Sequence, residues 1–157
     1  MKQQINSILD ALDETPRLLK ELISEIPEEL HRKKIIEGKW TIHENATHIA
    51  VGDIYGFQKR IKDFKMNTKP KFEPLSGESF PKDFFINLNL NEAIEKFYMI
   101  RTETINLAKS LNEFDWSKEA KHPEYWKYTP YIMLRHLLMH DHSHLYKIED
   151  MCYGINM

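Results

Sequence analysis

Three histidines near the C-terminal end of the chain, His136, His140 and His144, are spaced four residues apart in the run His136-Leu137-Leu138-Met139-His140-Asp141-His142-Ser143-His144. On a helix, residues i and i+4 are neighbours on one face, so these imidazoles stack a turn apart. Two imidazoles at that spacing can grip one transition-metal ion, the geometry behind the histidine pair of H-E-x-x-H zinc sites. On a wheel of about 100° per residue, His140 and His144 lie beside Met133, Leu137, Ile148 and Met151. They border the apolar stripe and face the interior. His136 sits toward the edge and reads as a satisfied or exposed histidine, while His142 points to the solvated side. Asp141 follows His140 directly and is placed to orient a neighbouring group, because metal-bound histidines usually give their second N–H to such an acceptor.

Two ligands do not make a tight site, so a third is expected from another element. His31, His43, His48 and His122 are the candidates. His31 and His122 fall in connections, and His43 in the first turn of a helix. His48 lies off the main apolar stripe, so periodicity alone does not choose it. Gly52 and Gly56 follow His48 at four and eight residues on the same flank. Glycine inside a helix costs about 1 kcal/mol, a cost that makes sense where a ligand or another helix must come close.

The elements that would position these groups are four long helical segments, with no convincing strand pattern. The first runs from about Gln3 to Ile26, with Ile5, Ile8, Leu9, Leu12, Leu19, Leu22 and Ile23 at three-and-four spacing. Pro16 predicts a kink or break near Thr15. Residues 27–40 form a connection carrying the basic tract Arg32-Lys33-Lys34. Thr41 with Glu44 forms a capping box opening a second helix to about Phe64, which buries Ile42, Ala46, Ile49, Ala50, Phe57 and Ile61. A long loop over 65–88, with Pro70, Pro74, Gly77 and Pro81, follows. Asn89 with Glu92 reads as a second capping box for a helix from Leu90 to about Leu111, packing through Ile94, Phe97, Tyr98, Ile105 and Leu107. A second loop carries Trp116, His122, Pro123, Tyr125 and Trp126. Thr129-Pro130 then supplies N-cap and first residue of a helix to about Met151, with Gly154 as its stop. The stripes of four such helices can be buried only against one another, which makes the fold all-α, a four-helix bundle.

The 157 residues fit one domain, spanning 1–157, and the 41% apolar and 11% aromatic content supports a real core. Charged residues at 29% mark a globular surface rather than a disordered chain. A net charge of −2 with dispersed Lys and Arg argues against a nucleic-acid partner. The single cysteine, Cys152, excludes an internal disulfide and makes no case for a nucleophile. Neither a signal peptide nor a membrane span is visible, so a cytoplasmic protein is expected.

Trp40-Thr41-x-x-Glu44-x-x-x-His48-Ile49, with Asp53 and Arg60 after it, resembles the second-helix signature of the DinB-like (DinB/YfiT) superfamily. His140-Asp141-x-x-His144-x-x-x-Ile148 resembles that family's closing segment. The resemblance spans nearly the whole chain. It implies a four-helix bundle with long loops between helices 2 and 3 and between helices 3 and 4, often homodimeric, with three histidines on a divalent metal. Carried over by position, the ligands are His48, His140 and His144. His136 has no fixed ligand role in that pattern. Lys147 stands where members often have Gln, and Asn45 and Gly52 replace commonly larger apolar residues, which alters the shape expected beside His48.

Three neutral imidazoles would leave a zinc, nickel or ferrous ion with an open position, the catalytic rather than the structural arrangement. Such an ion brings bound water toward neutral pKa or deprotonates a thiol. The resemblance implies thiol-dependent chemistry, in which a low-molecular-weight thiol attacks a small electrophile. The aromatic loop residues Phe72, Phe80, Phe84, Trp116, Tyr125 and Trp126 are expected to form an apolar wall. The family's damage-inducible name suggests a stress context without DNA binding. Two other readings use the same residues. One is a non-catalytic metal-binding or stress-response module with a capped, dry ion. The other is a helical dimerisation protein with a degenerate site.

Overall fold

The computed structural model describes residues 2–74 and 80–153. Gly77 and Gly154, read above as loop and helix stop, lie outside the described residues. The chain forms α1 (Lys2–Glu25), a short α2 (Glu28–His31), α3 (Ile42–Gly52), a π-helical turn (Asp53–Phe57), α4 (Gln58–Met66), a short α5 (Phe84–Asn87), α6 (Leu90–Lys109), a short α7 (Glu113–Ser117) and α8 (Pro130–Tyr153). The second long helix of the sequence reading is therefore one rod, α3–π–α4, with a wider turn inserted at its middle. Among the described residues, no helix is long and apolar enough to cross a membrane.

Local chemistry accounts for the starts of α3, α6 and α8. The Thr41 side chain accepts from the Glu44 backbone N–H at 3.1 Å, and the Glu44 carboxylate accepts from the Thr41 N–H at 2.7 Å, which completes the expected capping box. The Asn89 box is half formed. Asn89 Oδ1 accepts from the Glu92 N–H at 3.1 Å, but the Glu92 side chain turns outward to Lys96. Thr129 Oγ1 accepts from the Ile132 N–H ahead of Pro130, as its N-cap position requires.

Four rods, α1, α3–π–α4, α6 and α8, make the bundle. Both α1 and α3 pack against α6 and α8, so the rods follow the ring order α1–α6–α3–α8, with α1 diagonal to α3. Each rod feeds two apolar clusters. One joins Leu12, Phe64, Ile105, Met133 and Leu137. The other joins Leu19, Ile42, Ile49, Phe97 and Ile148. Truncating a leucine or phenylalanine in either cluster to alanine removes about 2–5 kcal/mol. Between the clusters, near the middle of each rod, lies a layer of buried polar side chains: Thr15, Asp53, Arg101, Thr104 and Asp141.

That waist explains Pro16. The helix does not break there; α1 runs unbroken from Lys2 to Glu25. Proline has no N–H for the carbonyl four residues back, which frees the oxygen of Leu12. Arg101 Nη1 donates to that oxygen at 3.2 Å. The lost helical bond is replaced by one from a neighbouring rod.

Candidate metal centre

The ring order sets α3 beside α8, and His48 on α3 meets His140 and His144 on α8. One ring nitrogen from each lies within 4.8 Å of the others. The ring centroids are 4.7–4.8 Å apart in all three pairs. His48 Nε2 and His140 Nε2 are 2.8 Å apart. The other histidines raised as third ligands are elsewhere. His31 bonds to the Ile26 carbonyl, His43 to the Leu88 carbonyl, and His122 stacks on Tyr128 at 4.4 Å.

Neighbours fix which nitrogen each imidazole offers. His144 Nδ1–H donates to Asn45 Oδ1 at 2.7 Å, leaving its Nε2 lone pair free. Asn45 is itself held, because its Nδ2 donates to the Thr41 carbonyl at 2.8 Å. His140 Nδ1–H donates to Asp141 Oδ1 at 3.3 Å, so Asp141 plays the orienting part expected of it. His48 has no such partner, and its buried Nδ1 is unpaired. With His140 Nε2 bare, the close contact must use the proton of His48 Nε2–H. That tautomer strips Nδ1 of its proton and strands it as an unpaired acceptor, a costly condition for a buried nitrogen.

The donor set suits a divalent ion. Three imidazoles converge, two with the outer acceptor that metal-bound histidines usually have. Burial holds His48 down at about 3 and His144 at about 2, so both are neutral and carry lone pairs at pH 7. Nitrogens about 2.0–2.1 Å from one tetrahedral ion stand roughly 3.3 Å apart, so the His48–His140 pair would part slightly to admit one. A cation would also let His48 carry its proton on Nδ1 rather than between the rings.

Below His140 the waist layer continues the network. Arg101 Nη2 donates to Asp141 Oδ2 at 2.6 Å, while its Nε and Nη2 reach Asp53 at 2.9 and 3.2 Å. All three side chains are almost wholly buried. Burial pushes the Asp53 carboxyl above its ordinary range against the pull of Arg101, and the charge of Asp141 adds to the rise. Two carboxyl groups around one guanidinium thus form a buried polar layer beneath the histidines. Asp53 enters this layer from the π turn, a distortion often found at functional sites. Arg101 stands in no motif of the sequence. Its signal was an arginine midway between Phe97 and Ile105 on the stripe of α6.

Two spaces flank the imidazoles. On one side an open cleft of about 560 Å³ is lined by Trp40, Asn45 and the three histidines, with Lys39, Lys147 and Asp150 toward its rim. Trp40 stacks on His144 at 5.8 Å and sets its edge against His48 at 4.9 Å. On the other side a small recess of about 40 Å³ is walled by Gly52, Tyr55, Gly56, Phe57, Phe80 and Phe85 and is bounded by His48, His136 and His140. Phe85 sits edge-on to His48 at 4.8 Å. The Phe85 carbonyl lies 3.0 Å from Thr47 Oγ1, whose single proton it shares with the His43 carbonyl at 2.8 Å. A Cβ on Gly52 would stand 4.0 Å from His140 Cε1, an ordinary contact. That glycine keeps the recess open rather than permitting a close helix approach.

The expected aromatic wall is only partly assembled. Phe80 lines the recess, and Phe84 packs on it at 5.0 Å. Phe72 is buried against Phe64 and Tyr128, Trp116 is tied to the Leu111 carbonyl, and Trp126 is 94% exposed. Tyr125 packs on Tyr128 and His136. Phe85 and Trp40 supply what these residues do not.

Comparison with known proteins agrees with this architecture. A curated protein of Oceanobacillus iheyensis, named as a candidate metal-dependent hydrolase, is 21% identical over 148 residues, covering 94% of this chain and 86% of that protein. The solved structure of YfiT from Bacillus subtilis, described as a probable metal-dependent hydrolase with an unusual four-helix bundle topology, superposes with a TM-score of 0.82 at 19% identity. It covers 96% of this chain and 87% of that one. The sequence profile of the DinB superfamily matches residues 11–148, and the chain belongs to that superfamily.

Proposed function

We propose that this single-domain protein is a metal-dependent enzyme acting on a small molecule, with His48, His140 and His144 as the ligands of one divalent ion. The observation that carries the reading is the convergence of three imidazoles at the floor of an open cleft. A capped, dry ion would favour a binding or sensing module, and the cleft favours an enzyme instead. The names of the two relatives point to hydrolysis.

Bound there, zinc, nickel or ferrous iron would supply Lewis acidity that brings water or a thiol toward its anion at neutral pH. The protein's own contribution is positional. Asn45 and Asp141 hold the rings of His144 and His140 in one tautomer and one orientation. The buried Asp53–Arg101–Asp141 layer holds the second of those acceptors in place through the Arg101 hydrogen bond. Trp40 and Phe85 screen the imidazoles from bulk water on two sides.

A second reading keeps the centre and makes a low-molecular-weight thiol the nucleophile toward a small electrophile. It is favoured by the charged rim of the cleft, where Lys39, Lys147 and Asp150 could hold a charged cosubstrate. Homodimer formation and a stress-response role rest on the family resemblance alone.

Elemental analysis of the purified protein beside His48→Ala and His144→Ala tests the ligand set. Near-stoichiometric metal in the wild type and its loss in both variants is expected. Equal metal in all three would sink the proposal. Loaded protein offered small esters and amides, with and without thiols, then separates hydrolysis from thiol transfer.

A further inference from the structure

We infer that His136 is a fixed hydrogen-bond donor that holds a carbonyl or carboxylate oxygen of a small acyl compound in the aromatic recess beside the three histidines. The inference rests on the reading above for the reacting centre, but not for the donor itself.

The donor chain starts at Arg60. Its guanidinium is buried, with Nη2 donating to the Glu73 carbonyl and Nη1 to the Tyr128 hydroxyl at 3.0 Å. Arginine only donates, so the Tyr128 oxygen is an acceptor in that bond. The same hydroxyl lies 3.1 Å from His136 Nδ1. Tyr128 is fully buried, and no other partner of its hydroxyl is found among the described residues. If Nδ1 carried the proton, the hydroxyl hydrogen would be left without an acceptor, which costs more than the bond is worth. The chain therefore runs Arg60 N–H to Tyr128 O–H to His136 Nδ1. The ring proton of His136 must be on Nε2.

Nε2–H has no protein acceptor among the described residues, and it is not among their buried unpaired atoms. It is left for solvent or a ligand. His136 borders the recess together with His48 and His140, one helical turn from the latter. The recess is apolar along Phe57, Phe80 and Phe85, and one water needs roughly 10–15 Å³. A space of about 40 Å³ therefore takes a short acyl group rather than a large ring system. Burial and the neighbouring Arg60 hold His136 down at about 4, so the ring donates as a neutral imidazole at pH 7. A group built only to tie α4 to α8 would have needed the Nδ1 contact alone.

Long-range ¹⁵N–¹H correlation on histidine-labelled protein reads the tautomer directly, with or without zinc. The Nε2–H form is expected for wild-type His136, and a mixture of tautomers for Tyr128→Phe. Propionamide is then titrated as a neutral acyl probe while the His136 and Phe85 ring signals are followed. Binding in the wild type is expected to be about tenfold tighter than in His136→Phe, one hydrogen bond's worth. Tyr128→Phe, which alters the donor without touching the recess, should bind more weakly by a smaller factor and serves if His136→Phe does not fold. An Nδ1–H wild type overturns the inference, as does equal probe affinity in wild type and variants. Because metal-free protein serves, a chain that binds no metal but shows the Nε2–H ring and donor-dependent binding would sink the metal reading and leave this one standing.

Discussion

His140 and His136 stand one turn apart on α8, yet their nitrogens meet opposite surroundings. Around His140, three imidazoles turn toward one another with only protein acceptors behind two of them, and the permanent cation, Arg101, is buried below and claimed by two carboxylates. Around His136 the cation is already present. Arg60 donates to the Tyr128 oxygen, and Tyr128 donates its own hydroxyl hydrogen to the ring. The first cluster is short of positive charge at its centre and long on lone pairs, which is the condition for recruiting a metal. The second is saturated on its inner edge and can only donate outward. Residue type and helical spacing are the same in both, and the difference lies in what the second nitrogen of each ring touches.

The largest loss is expected at Arg101. Arg101→Met would leave Asp53 and Asp141 buried without their shared partner, and breaking such a network costs about 3–5 kcal/mol. A denaturant midpoint that hardly moves would mean the waist is hydrated rather than ion-paired. Next comes Asn45→Leu, which places an apolar side chain there and removes the acceptor of His144 Nδ1–H. Outer acceptors of this kind are worth about 10–100-fold in metal affinity, so competition with a chelator should show a drop of that size with the fold intact. Tyr128→Phe should leave metal affinity unchanged in the same assay. If it falls as far as in Asn45→Leu, the two clusters are not separate.

Acid gives a smaller and graded test. His48, His144 and His136 are held at about 3, 2 and 4, against 6.5 for a free histidine. Below 6.5 the unfolded chain therefore binds protons that the folded chain refuses. Stability is full above that value and falls as pH drops through about 6 toward 4. Urea midpoints of the metal-free protein between pH 7.5 and 4.5 should decline accordingly. His136→Phe should decline less steeply than the wild type, and a flat profile in the wild type would contradict the buried, neutral state of all three rings.

Much of the scaffold could be read from residue order. The Thr41–Glu44 box, the Thr129-Pro130 start and the buried set Ile42, Ala46, Ile49, Ala50, Phe57 and Ile61 follow from local chemistry and a 3.6-residue period, and the structure has them all. The inward turn of His144 is of the same kind. The π turn was not legible, because a widened turn leaves almost no mark on an apolar pattern that is locally continuous. The unbroken course of α1 through Pro16 was not legible for a related reason. The missing prolyl N–H was visible, but the Arg101 donor that replaces it arrives from a helix some 85 residues away.

Order along the chain by itself determined four amphipathic rods, their caps, and two imidazoles on one face of the last. Only the tertiary structure decided that the second rod lies next to the fourth rather than across the bundle from it, which brings the ring of His48 to those of His140 and His144. It also decided which nitrogen each imidazole offers, through Asn45, Asp141 and Tyr128. The physical reason is range. Helix periodicity and capping are settled by neighbours within about four residues, whereas the identity of a ring's hydrogen-bond partner depends on side chains that only packing brings within about 3 Å.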